Sequence, residues 1–236
     1  VTLARRPAPA GERRPGPSLW RGVAVGSVAV AAALLALPFV VYAIDFGWRG
    51  LTTDLAGESY LFTPGGTLPD AAIAVHMLLG GLVTLLAPVQ LVGPLRRRAR
   101  GAHRWTGRVL VVAATVVAAG GLAYIATRGT IGGAPMSAAF AVYGLLLGLA
   151  AVMTWRAVRR GDLTRHRDWA LRFVVLALGS WFYRLHYTLW EVTTGGAGRR
   201  PDFSGPFDLA QLVAFWLPYL VLVELWIARH PRVEAP

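Results

Sequence analysis

Long apolar runs without charge recur along the chain, separated by short segments rich in arginine, glycine, proline or acidic residues. No charged residue occurs from Gly22 to Ile44, and at roughly 1.5 Å per residue this run is long enough to cross a hydrocarbon core of about 30 Å. Comparable runs fall near 71–93, 107–127, 136–155, 169–190 and 208–228. The segments between them are too polar and too broken for backbone exposed to lipid, where unpaired peptide groups find no water. The pattern predicts an all-α polytopic membrane bundle of about six transmembrane helices. The first run also has a loose signal-peptide look, with Val41-Tyr42-Ala43 as a cleavage-like site. It is longer than the apolar core of such peptides, about 7 to 15 residues, so it reads as an anchor. Residues 1–21 read as a disordered basic tail, 22–230 as the membrane domain and 231–236 as a second short tail.

Composition agrees with this division. Of 236 residues 55% are hydrophobic and only 15% charged, against roughly a quarter charged in soluble domains, so a soluble globule is excluded. The absence of cysteine removes disulfides, thiolate metal sites, iron-sulfur clusters and thiol catalysis, and leaves histidine as the main candidate ligand. Every basic residue is arginine, and the net charge is +12. Nineteen of the arginines fall in the N-terminal tail, the second-to-third and fourth-to-fifth connections and the C-terminus. Five (Arg49, Arg128, Arg184, Arg199, Arg200) fall on the other side, with seven acidic residues. That asymmetry predicts cytoplasmic termini in a multi-pass membrane protein. Short basic loops next to lipid headgroups need no nucleic acid to explain them, and none is expected as a partner.

Polar residues inside the spans mark where chemistry can be sought, because each must face protein or a cavity. On span two, His76, Gly80, Val83, Ala87 and Gln90 fall along one side of a helix. Span five is the costliest, with only the eleven residues 173–183 uncharged between Arg172 and Arg184. Arg172 can snorkel inward and meet Glu224; Arg184 can meet Asp208, Glu191 or an anionic ligand. Trp181, Tyr183, Tyr187 and Trp190 around it also suit an interfacial aromatic belt. Glycine pairs and the small-xxx-small pattern Gly144 to Gly148 predict close helix packing without chemistry. An internal echo links two inner connections, His103-Arg104-Trp105 with Arg108, and His166-Arg167-Asp168-Trp169 with Arg172. It suggests a shared site of His and Arg at the inner interface.

These blocks resemble a bacterial membrane-protein family labelled domain of unknown function 2306 (DUF2306). The resemblance rests on His76 with Pro88-Val89-Gln90, on His103-Arg104-Trp105-Thr106-Gly107-Arg108, and on His166-Arg167-Asp168-Trp169-Ala170-Leu171-Arg172 with Arg184-Leu185. It covers about residues 70 to 230 and departs at Asp168, usually basic or polar, and Ala170, often Met. It implies a multi-span plasma-membrane protein with no established activity. His186 lies outside the matching blocks.

Two chemical readings use the same residues. One is a b-type-cytochrome-like electron carrier, since haem iron in a bundle is commonly held by imidazoles from facing helices. His76 and His186 would form an outer pair, His103 and His166 an inner one, and Gly80 would leave room for a porphyrin. Against two stacked haems, His166 and His186 stand about 200° out of phase on one helix. The other reading is non-redox: His76, Gln90, His103, Arg104, Arg108, His166, Arg167, Arg172 and Arg184 bind an anionic lipid, a quinone or a small acid. A quinone or another membrane redox protein is the partner implied by the first reading, the bilayer by both, and a helical scaffold subunit is a third alternative. No nucleophile motif and no His-Glu-x-x-His element is present, which speaks against a hydrolase. The topology is directly testable: in intact cells an impermeant maleimide labels Arg200→Cys, and labels Arg160→Cys only after lysis.

Overall fold

The computed structural model describes residues 19–230. The basic tail expected over 1–21 lies, up to residue 18, outside the described residues, as does the tail at 231–236. In chain order the helices are α1 Leu19–Thr52, α2 Leu68–Val89, α3 Gly93–Arg98, α4 Arg100–Arg128, α5 Gly133–Arg159, α6 Leu163–Thr194, α7 Pro206–Ala214 and α8 Leu217–Arg229. No strand occurs among the described residues. Five helical stretches are long and apolar enough to cross a membrane: Leu34–Thr52, Leu68–Val89, Arg100–Arg128, Gly133–Arg159 and Pro206–Arg229. The expected span near 169–190, the fifth in chain order, corresponds to α6, which has 32 residues but carries several charges. It packs against α5 along its length and also meets α2 and α8.

Several helices outrun the apolar segments that announce them. α4 begins at Arg100 and α6 at Leu163, so the arginine blocks lie on first turns rather than in loops. Helical backbone satisfies its own hydrogen bonds and extends into the headgroup region, while arginine side chains stay hydrated. Asp162 caps α6 by accepting the Arg165 amide at 2.8 Å, and Gly195 ends it in the left-handed conformation at φ 62°. The expected last span is split. Pro218 has no amide hydrogen and its ring crowds the preceding turn, so the chain breaks at Phe215 and Trp216 between α7 and α8.

Packing runs α1 on α2, α2 on α4, α4 on α5 and α5 on α6. Glycine and alanine set these contacts, because lipid gives no hydrophobic drive for association and close van der Waals approach must supply it. A Cβ on Gly47 of α1 would stand 2.6 Å from the Ala74 carbonyl oxygen, and one on Gly81 of α2 would stand 3.2 Å from the Val40 oxygen. On α5, Gly148 lies against Ala118 of α4, and a Cβ there would come within 3.2 Å of the alanine methyl. The central core joins Val83, Ala114, Ala151, Leu176 and Phe215 from five elements or junctions. α1 stands apart: its extensive contact is with α2, and Leu34, Leu35, Val41 and Tyr42 are exposed on it. Substituting Gly47→Val forces backbone against backbone and is expected to cost about 1–3 kcal/mol. A drop in thermal stability of the purified protein, with α1 more open to protease, checks this.

Candidate functional site

A cavity of about 990 Å³ opens between α2, α4, α5 and α6. Its wall is mostly apolar, with Ile73, Val83, Val117, Leu147 and Phe140 among the lining, and the polar groups gather in a few places. His76 of α2 is one. Its Nδ1 lies 2.7 Å from the Val117 carbonyl oxygen, and because a carbonyl only accepts, Nδ1 carries the proton. In the neutral ring Nε2 then keeps its lone pair, and it has no hydrogen-bond partner among the described residues. Gly121 makes room for this ring, since a Cβ there would fall 2.9 Å from Nδ1. Gly80, one turn beyond His76, also lines the cavity and has open space where a Cβ would be.

Three arginines border the cavity, and two of them are neutralised. Arg128, at the end of α4, donates to Asp70 Oδ1 at 2.5 Å, to Thr63 Oγ1 at 2.8 Å and to Thr67 Oγ1 at 2.5 Å. Asp70 is buried and also accepts the Thr67 amide at 2.8 Å, so this cluster straps the 53–67 loop onto α2 and α4. Arg199 pairs with Glu191 and lies over the Tyr187 ring at 5.1 Å. Arg184 has no carboxylate partner among the described residues. Its guanidinium donates to the Ser180 carbonyl at 3.2 Å and sits over the Phe39 ring of α1 at 4.6 Å. Nearby Tyr60, in the 53–67 loop, is a neutral phenol, because burial pushes its pKa up against the smaller opposing pull of Arg184.

The two carboxylates expected for Arg184 are both engaged elsewhere. Glu191 is taken by Arg199. Asp208 is fully buried, accepting the Tyr187 hydroxyl at 2.7 Å and the Arg200 and Gly205 amides at 2.8 and 3.1 Å. The helix also continues past the expected end near Trp190 to Thr194, which sets Arg184 roughly 15 Å from its outer terminus. That is farther from the helix end than the apolar run suggests, because Glu191, Thr193 and Thr194 stay helical.

The remaining sequence candidates lie in other places. Arg172 forms the expected bidentate pair with Glu224, at 2.5 and 2.7 Å, joining α6 to α8, and Arg167 lies over the Trp226 ring at 4.8 Å. His186 does not line the cavity. Its Nε2 is 2.7 Å from the Tyr219 hydroxyl and its Nδ1 2.9 Å from Gln211 Nε2, so both nitrogens are engaged by α7 and α8. The structure does not bring it together with His76. At the inner end, His103 is half-buried on α4, and His166 Nδ1 donates to the Thr154 carbonyl at 3.0 Å. Gln90 donates to Thr106 at 2.7 Å, while its Oε1 is buried without a partner. Arg104 and Arg108 are exposed and make no ion pair with the described residues. None of these inner residues reaches the cavity.

The sequence reading missed Arg128, Asp70, Tyr143 and the Arg199–Glu191 pair. Thr67 followed three residues later by Asp70 is a legible helix-start signal. Nothing in the chain order joins it to Arg128, 58 residues away. Residues 73–227, about two thirds of the chain, match a family described as predicted membrane protein (DUF2306). No curated protein and no solved structure matches the chain. Replacing Asp70 by Asn removes the charge that neutralises Arg128 and is expected to lower the melting temperature by several degrees and to loosen the 53–67 loop. Hydrogen exchange over that loop checks the second effect.

Proposed function

We propose that this chain, which belongs to the DUF2306 family of predicted membrane proteins, is an integral membrane binding protein whose cavity holds a mainly apolar molecule bearing an acidic or carbonyl oxygen. The observation that carries the reading is Arg184, a cavity-lining guanidinium that has no carboxylate partner among the described residues while Arg128 and Arg199 each have one. An uncompensated cation there is expensive, and an anionic or strongly accepting ligand group offsets the cost. The apolar wall suits the rest of such a molecule, and the volume lies at the upper end of small-molecule sites, about 300–1,000 Å³. Small acids with an apolar body, quinones and anionic lipids all have this chemistry. The arginine asymmetry supports placing both termini in the cytoplasm, and the resemblance to bacterial membrane proteins supports a bacterial plasma membrane.

A second reading, haem binding, is favoured by one observation, the partner-free Nε2 of His76. The cavity wall offers a single imidazole, because His186 is held by Tyr219 and Gln211. A bis-imidazole haem therefore does not fit the outer pair, and no electron-transfer step is derived. The two readings separate in one preparation. With oleate as probe, the detergent-purified protein should gain thermal stability, and Arg184→Gln should weaken that response about tenfold or more, while Arg104→Gln keeps it. An unchanged response in Arg184→Gln rejects the reading. A Soret band lost in His76→Ala would instead favour haem, and a colourless protein rejects haem.

A further inference from the structure

The cavity is bordered by the 53–67 loop above and by α1 and α6 at the side, and these two borders are held differently. The roof is tied. Arg128 holds the 53–67 loop through Asp70, Thr63 and Thr67, and Arg199 is paired with Glu191 beside Tyr187. The side between α1 and α6 is not tied. α1 makes its extensive contact with α2, contributes Phe39 and Ala43 to the cavity wall, and meets α6 there through the Arg184 guanidinium on the Phe39 ring. No hydrogen bond or ion pair joins α1 to α6 among the described residues. Around that contact α1 exposes Leu35, Val41 and Tyr42, which suits a helix edge facing acyl chains.

The position of Arg184 gives this gap its chemistry. The residue is exposed and lines the cavity, roughly 15 Å along α6 from its C-terminal end. A cation over an aromatic face is a weak closure, worth far less to a guanidinium than a carboxylate or phosphate oxygen. An incoming anionic headgroup therefore displaces Phe39 from Arg184, and the tail follows along the apolar wall past Gly80, where no side chain obstructs the space.

We infer that the α1–α6 gap is a lateral portal, with Phe39 on Arg184 as its latch, through which a long-chain amphiphile with an anionic head enters the cavity from the bilayer. The inference rests on the binding reading above and adds the ligand's class and route. The chain has no cysteine, so introduced thiols react without background. The test carries Phe39→Cys and Ser180→Cys in the full chain, reconstituted in phosphatidylcholine vesicles and bridged by a short bismaleimide. A spin-labelled stearic acid and a spin-labelled lysophosphatidic acid are supplied in the membrane, and their immobilised fraction is followed in time. Bridging is expected to slow loading at least tenfold relative to the same variant left unbridged. A matched bridge across the roof, between Leu61→Cys and Ile131→Cys, should leave the rate unchanged relative to the same variant left unbridged. Immobilisation of the carboxylate probe alone, or of the phosphate probe as well, identifies the headgroup, and either supports the portal if it slows on bridging. Loading that slows only with the roof bridge, or with neither, overturns the portal while leaving the binding reading intact. If neither probe is immobilised by the wild-type protein while oleate still stabilises it, the portal is rejected and the binding reading stands. Absence of oleate stabilisation in the wild-type protein, or a response unchanged in Arg184→Gln, rejects the binding reading itself.

Discussion

The dominant constraint on this molecule is the cost of holding a positive charge at the depth of a hydrocarbon layer. Arginine is the sole basic residue, its charge is effectively permanent, and deprotonation is no escape from burial. Each arginine of the interior must therefore reach water, a carboxylate or a ligand. Arg172 reaches Glu224 on α8, Arg128 reaches Asp70, and Arg199 reaches Glu191. These pairs also act as ties between α6 and α8, between the end of α4 and the start of α2, and between α6 and the loop that follows it. Arg184 stands outside this pattern, and the cavity is built around it.

Small residues produce the space. Glycine at positions 47, 81 and 148 lets α1, α2, α4 and α5 approach closely, whereas Gly80 and Gly121 serve the cavity, one by leaving volume open and the other by admitting the His76 ring. The same residue type closes one interface and opens another, depending on what stands opposite. The aromatic groups divide in a similar way. Tyr143 donates to the Leu176 carbonyl at 2.5 Å and packs on Phe215, anchoring α5 to α6 and to the α7–α8 junction. Tyr183, Tyr187 and Asp208 form a hydrogen-bonded chain that fixes the start of α7 against α6.

Histidine shows how far a pattern of residue types goes. The echo of His-Arg-Trp places His103 on the first turn of α4 and His166 on the first turn of α6, where His166 is held by the Thr154 carbonyl. The outer candidates diverge instead: His76 faces the cavity and His186 faces Tyr219 and Gln211. Helical phase already separated His166 from His186, but phase alone does not say which side of α6 meets the cavity. That depends on α7 and α8, whose break at Phe215 and Trp216 sets where Gln211 and Tyr219 stand.

The chain order by itself determined the helical membrane architecture, the family and the Arg172–Glu224 pair. Hydrophobic length and the distribution of arginine are one-dimensional quantities, and two charges at matching depth on neighbouring spans have few other partners. Tertiary structure alone decided that Arg128 takes Asp70, that Arg199 takes Glu191, and that Arg184 is left facing a cavity beside Phe39. Competition among charges for partners is settled by distances between helices far apart in sequence, and helix ends and rotations set those distances. Periodicity reports neither to better than a turn.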